Sequence, residues 1–197
     1  MPDDDRQFFT DFWKQMKDKT HEIFQKDGRH CHVIFLITKG VLLAILYDQV
    51  TSEIVGDDKR EELTEDEKDK IFSTIATVAY EKKATGYVEI GEGWGMMSLP
   101  DSDMQGTMDQ YKSAKENYGF IKNMPTRMEI LYIRGRCRGL SANLIYKIRR
   151  AEDEAWLEPI EGTKEGEEIV PYKGDNISRV GMIDQAIDKV LAEEPAP

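Results

Sequence analysis

The sequence predicts an α+β fold: one domain built on an antiparallel five-stranded sheet with helices packed on it. Three observations carry this prediction. Apolar residues recur at spacings of three and four in three separate stretches. Five other stretches are continuously apolar or alternate polar with apolar, as strands do. Their order is helix, two strands, helix, three strands, helix, which lets every apolar stripe be buried at once.

Each element has its own justification. Residues 7–26 set Phe8, Phe9, Phe12, Trp13, Met16, Ile23 and Phe24 on one wide helical stripe, and Gly28 ends it. Phe8, Phe12 and Trp13, left exposed, would give a face for self-association into a homo-oligomer. Residues 32–47 are almost wholly apolar, and the break at Thr38-Lys39-Gly40 divides them into two buried strands joined as a hairpin. "TSEIVGDDKREEL" reads as a polar connection. Thr64 and Glu67 then form a capping box for a helix whose inner face is Ile71, Phe72, Ile75, Val78 and Ala79, stopped near Gly86.

"YVEIGEGWGMM", residues 87–97, is the third strand. The connection from Pro100 to Pro125 is longer than a compact domain needs, which marks it as a lid or an ornament; a short helix is expected from Met104 to Tyr118. Met96, Met97, Met104, Met108 and Met124 cluster in and around it, mostly as gap-fillers. "TRMEILYIRGRC" and "ANLIYKIRR" alternate around "RGRCRGLS" as a second hairpin. The expected organisation is a core domain over residues 1–150. Residues 151–197 follow as an acidic, loop-like segment and an amphipathic helix packed on the core, with Val180, Ile183, Ile187, Val190 and Leu191 inward.

Composition limits the function. With 197 residues the chain needs no disulfide or metal to build a core. Its net charge of -11 argues against a general nucleic-acid or anionic-membrane binder, since like charges repel on approach. Cys31 and Cys137 are the only cysteines, too few and too far apart for a secreted disulfide scaffold. "MPDDDRQFF" lacks the basic start of a signal peptide, and the apolar run at 33–47 is short and interrupted by Lys39-Gly40. A soluble cytoplasmic protein without a membrane span is the expectation.

Few residues invite chemistry. Glu89 and Glu92 are a candidate carboxylate pair, yet strand parity sends residues three apart to opposite faces unless Gly91 forms a bulge. Glu92 shares a face with Val88, Ile90 and Trp94, where a carboxylate must be paired. A structural ion pair with Arg127, or another arginine of the neighbouring strand, is the expected answer. His30 and His32 flank Cys31 at a strand entrance, with His21 on the preceding helix. Two histidines two apart can chelate zinc, but a site needs a third ligand. A small metal-dependent hydrolase using His30, His32, Glu89 and Glu92 is therefore the alternative reading.

"GLSANL" around Ser141 is no nucleophile elbow, and the phosphate-loop, Cys-x-x-Cys and His-Glu-x-x-His patterns are missing. The motifs imply no cofactor and no resident metal.

The second hairpin carries the most distinctive surface. Between 127 and 150, Arg127, Arg134, Arg136, Arg138, Lys147, Arg149 and Arg150 stand against one acid, Glu129. Tyr132 and Tyr146 sit among them, a combination that suits phosphates or an acidic protein. Equally, "AEDEAWLEPIEGTKEGEE" follows directly, and that acidic run can fold back over the hairpin.

Two further patterns carry a resemblance. Glu92-Gly93-Trp94 ends strand three, and Pro125, Arg127 and Glu129 open the next strand as Pro-x-Arg-x-Glu. Across residues 33–150 the chain resembles in these patterns a group of short uncharacterised proteins of bacteria and phages. The resemblance implies one fold unit of prokaryotic or phage origin, and no particular chemistry. In element order alone the chain is also similar to profilin-like and roadblock-type domains.

The resulting expectation is a non-enzymatic accessory protein. It would bind another protein or an acidic ligand through the 134–150 hairpin and the 100–125 connection.

Overall fold

The computed structural model describes residues 2–56, 63–96, 109, 112–113, 116–117, 123–124, 127–152, 154–160, 169–172 and 181–193. The helix expected from Met104 to Tyr118, the connection around it, and Met97, Met104 and Met108 lie largely outside these residues.

The fold is α+β. In chain order the elements are α1 (Pro2–Asp27), β1 (Val33–Thr38), β2 (Val41–Leu46), α2 (Tyr47–Val55), α3 (Glu65–Glu81), β3 (Gly86–Met96), β4 (Arg127–Cys137), β5 (Leu140–Arg150), β6 (Ala155–Pro159), β7 (Ile169–Pro171) and α4 (Gly181–Glu193). The sheet is antiparallel and runs β2-β1-β3-β4-β5-β6, with β7 also on β5.

Both faces of the sheet are covered, by different helices. On one face α1 buries Phe9, Phe12, Trp13 and Phe24 against Val33, Ile37, Val88, Ile90, Leu131, Ile133, Leu144 and Ile148. On the other, Ile71, Phe72, Ile75 and Ala79 of α3 and Ile183 and Ile187 of α4 pack with Ile34, Leu36 and Tyr87. The α3 cap forms as its sequence predicts: Glu67 N–H donates to Thr64 Oγ1 and the Glu67 carboxylate accepts from Thr64 N–H. Both hairpins turn on two residues of positive φ, Lys39-Gly40 and Arg138-Gly139, the geometry that matches the twist of the flanking strands.

Four expectations need correction. The sheet has seven strands rather than five. The two extra ones lie in the acidic segment, where β6 and β7 add to the outer edge of β5 over residues 146–150 and 140–142. They are too short, and β6 too rich in glutamate and proline, for alternation to announce them. Second, the supposed polar connection from Thr51 begins inside a helix, α2, which starts at Tyr47 and is ended by Gly56 at positive φ. Val50 and Ile54 face the core from it, four apart, hidden in sequence by the apolar strand running into them.

Third, β2 is not a buried strand: it is the edge of the sheet, with Val41, Leu43, Ala44 and Leu46 exposed. Fourth, Phe12 and Trp13 lie in the core beneath α1, with Phe8 partly buried against them, so helix one does not present them for self-association.

Candidate functional site

The second face of the sheet carries charge into the interior, and strand register explains how. β3 and β4 pair without a break from Gly86↔Cys137 to Met96↔Arg127, so there is no bulge at Gly91 and Glu89 and Glu92 stay on opposite faces. Glu89 lies directly across from Arg134, and Gly91 directly across from Tyr132. His32 sits just ahead of β1, where Val33 pairs with Ile90. Arg134, His32 and Tyr132 therefore converge on one carboxylate from direct and diagonal positions.

The contacts are specific. His32 Nε2 donates to Glu89 Oε1 at 2.7 Å, and the Tyr132 hydroxyl donates to the same oxygen at 3.2 Å. The acceptor-only carboxylate fixes the hydrogen on His32 Nε2. Arg134 Nε donates to the second oxygen, Oε2. The His32 ring stacks on Tyr47 of α2 at 4.1 Å, and Tyr47 leans on Phe72 of α3, so core packing holds the imidazole in place. Gly91 is required by space: a Cβ there would lie 2.8 Å from the Tyr132 hydroxyl and 3.0 Å from His32 Cδ2.

The Glu89 side chain is 0% exposed, whereas that of Arg134 keeps 28% exposure. Burial pushes the Glu89 carboxyl up, but the His32 hydrogen bond and the Arg134 charge outweigh it and bring it down to about 2. Burial and the Glu89 charge together push the Tyr132 phenol well above its ordinary range.

Glu92 occupies a second, shallower cluster on the α1 face. Its carboxylate accepts from the His30 backbone N–H and lies 3.3 Å from Arg150, which also binds Glu129. Burial raises its carboxyl despite these donors. The sequence pointed to Glu92 as the buried acid and to Arg127 as its partner. In the structure the fully buried acid is Glu89, and Glu92 pairs with Arg150. Arg127 stands over the Trp94 ring and donates to the Met124 carbonyl at 3.2 Å. Counting one face as the core misassigned the two glutamates, because this sheet has a core on each side.

The remaining predicted residues are placed as follows. Arg136 is buried, binds Asp184 and Asp188 of α4, and has the Tyr172 ring 3.7 Å away. Arg138 binds Asp5 of α1 at 2.9 Å, and Asp5 also accepts from Thr85. Arg149 binds Glu158 of β6 at 2.7 Å. Tyr146 lies in the core beside His21, and Lys147 pairs across the sheet with Ile130 and Glu158. Apart from Arg127, the arginines of the hairpin thus meet carboxylates of the same chain. Only Glu158 of those belongs to the acidic run that follows the hairpin. Glu129 is the hairpin's own acid, whereas Asp5, Glu89, Glu92, Asp184 and Asp188 are scattered along the sequence and could not be found by reading locally.

The four residues of the hydrolase reading are split between the two clusters, with His32 and Glu89 on one face and Glu92, bound by the His30 backbone, on the other. Among the described residues no group of three or more His, Cys, Asp or Glu side chains is arranged to hold a metal ion. Arg134 also places a cation on the Glu89 oxygen where a metal would have to bind. What the Glu89 cluster can do chemically is hold a fixed negative charge beneath the sheet surface and orient His32, Tyr132 and Arg134 around it. Also among the described residues, no helix is long and apolar enough to cross a membrane. No family model matches the chain, and no curated protein and no solved structure matches it either.

Proposed function

We propose that this chain is a non-enzymatic accessory module, of prokaryotic or phage origin, that engages an acidic surface on another protein. One observation carries the reading. On the face where α3 and α4 cover β1 and β3, the outer strands continue as exposed sheet: Asn143 and Arg149 of β5 and Trp156 and Glu158 of β6 are exposed there, next to the partly exposed Arg134, Tyr132 and Lys147. Cross-strand pairing sets Trp156 beside Arg149 and Asn143 beside Arg134, so a flat aromatic and planar guanidinium groups share one surface.

Such a surface suits carboxylates by bidentate contact and stacking. Arg134, Lys147 and Arg149 leave a net positive charge here once Glu89 and Glu158 are counted, on a chain of net charge -11, which favours an acidic partner at this surface. The origin rests on the Glu92-Gly93-Trp94 and Pro125-x-Arg127-x-Glu129 patterns alone.

Fluorescence anisotropy with a labelled poly-glutamate peptide tests the reading. Binding should weaken steeply with salt and vanish in the Lys147→Glu/Arg149→Glu double variant, while the unfolding transition stays where it was. Peptide binding that ignores both changes would remove the basis for the proposal.

A further inference from the structure

Edge strands normally carry a charge, a proline or a bulge that keeps other chains from pairing with them. β2 has none of these. Its sequence is VLLAIL, all six residues pair with β1 in unbroken register, and among the described residues β1 is its one neighbour in the sheet. Val41 is 65% exposed, Leu43 37% and Leu46 49%. Val41 and Leu46 are the two most exposed large apolar residues among the described ones, and Leu43 stands between them on the same strand.

The hydrogen-bond phase of the edge can be read from its ends. Tyr47 N–H donates to the His32 carbonyl at 3.0 Å, so the pair 32↔47 is a bonded one. Bonded and non-bonded pairs alternate along an antiparallel ladder. Tyr47, Ile45, Leu43 and Val41 therefore turn their backbone groups toward β1. Leu42, Ala44 and Leu46 turn theirs outward, into the open edge.

We infer that β2 pairs antiparallel with β2 of a second copy of this chain, about a two-fold axis at Ala44, joining the two sheets into one. That register sets Ala44 against its own counterpart and Leu42 against Leu46, so each outward N–H meets an outward carbonyl. Residues of like parity face each other, so the α1 face of one copy continues into the α1 face of the other. On the opposite face Leu43 meets Ile45, and every facing pair within the strand is apolar. The smallest side chain stands at the axis, where two copies of one residue must fit.

Charge completes the match. Exposed Lys39 precedes the strand and exposed Asp48 follows it. The antiparallel arrangement sets Asp48 of each copy across from Gly40 of the other, one position from that copy's Lys39. The alternative of an unrelated edge strand would not supply this pairing twice. Five residues of pairing, from Leu42 to Leu46, form a small interface, so the dimer is a weak one, with a dissociation constant of about 1 to 100 μM.

Sedimentation equilibrium of the full chain over about 1 to 300 μM, bracketing that range, tests the inference. The expected result is a mass rising from one chain to two. Ala44→Pro removes one outward N–H and leaves the bonds to β1 intact, so this variant should stay monomeric at every concentration with its near-UV circular dichroism retained. If it loses that signal, Leu43→Lys takes its place, with the same expectation. Lys39→Glu should weaken dimerisation, and Lys39→Glu/Asp48→Lys should restore it. A wild-type chain that stays monomeric, a folded edge variant that still dimerises, or a charge swap without rescue each overturns the proposal. None of these variants touches Lys147, Arg149 or Trp156, so the outcome is independent of peptide binding at the basic face.

Discussion

Glu89 and Arg134 face each other directly across β3 and β4, the carboxylate wholly buried and the guanidinium reaching solvent. The pair acts as a post through the sheet surface: a charge fixed inside, its partner presented outside. Because His32 and Tyr132 also donate to Glu89, the cost of burying the carboxylate is met by three donors rather than one.

Removing that charge should be expensive at neutral pH and cheap in acid. The folded carboxyl sits near 2 against an ordinary 4.5, so it contributes stability that is fully present above 4.5 and is lost as pH falls toward 2. Glu89→Gln should lower the unfolding free energy by about 3 kcal/mol at pH 7, and by much less near pH 2. Urea unfolding of both proteins at the two pH values measures this. Equal losses at both would show that the charge is not what Glu89 contributes.

Glu92 carries the opposite sign. Its folded carboxyl is raised, so its ionisation works against folding once pH rises above the ordinary glutamate range. Glu92→Gln keeps an acceptor for the His30 N–H and sheds the charge. At pH 7 it should therefore cost far less than Glu89→Gln, or be mildly stabilising. The same urea titrations compare the two glutamates side by side.

The two cysteines should separate cleanly by reactivity. Burial pushes the Cys137 thiol up to about 12, while Cys31 is exposed ahead of β1. Ellman's reagent at pH 8 should titrate one thiol promptly in the folded protein and the second only on unfolding. Cys31→Ser should abolish the fast phase.

Much of the scaffold was legible because it is locally encoded. The α1 stripe, the Thr64–Glu67 box, the two Xaa-Gly turns and the alternation of β4 and β5 are each written within a few residues of where they act. The elements that escaped depend on distant partners. β6 is a strand because β5 has a free edge to offer it, and α2 is hidden by the apolar strand it continues.

The site was half legible for the same reason. Parity separated Glu89 from Glu92 correctly, yet which face was core depended on α4, more than eighty residues later. The signal that was there to use is Tyr132, Arg134 and Arg136 alternating on one face of a strand. Three polar or charged positions in step on a central strand point to buried partners rather than to open solvent.

Arg136, near the end of β4, and Arg138, in the turn that follows, bind helices far apart in sequence: Asp184 and Asp188 of α4, and Asp5 of α1. Both terminal helices are thus latched to one central strand near a single turn. Trimming either terminus would strip a guanidinium of its counter-charge inside the remaining fold. A truncated chain is accordingly a protein with an uncompensated guanidinium where β4 turns into β5.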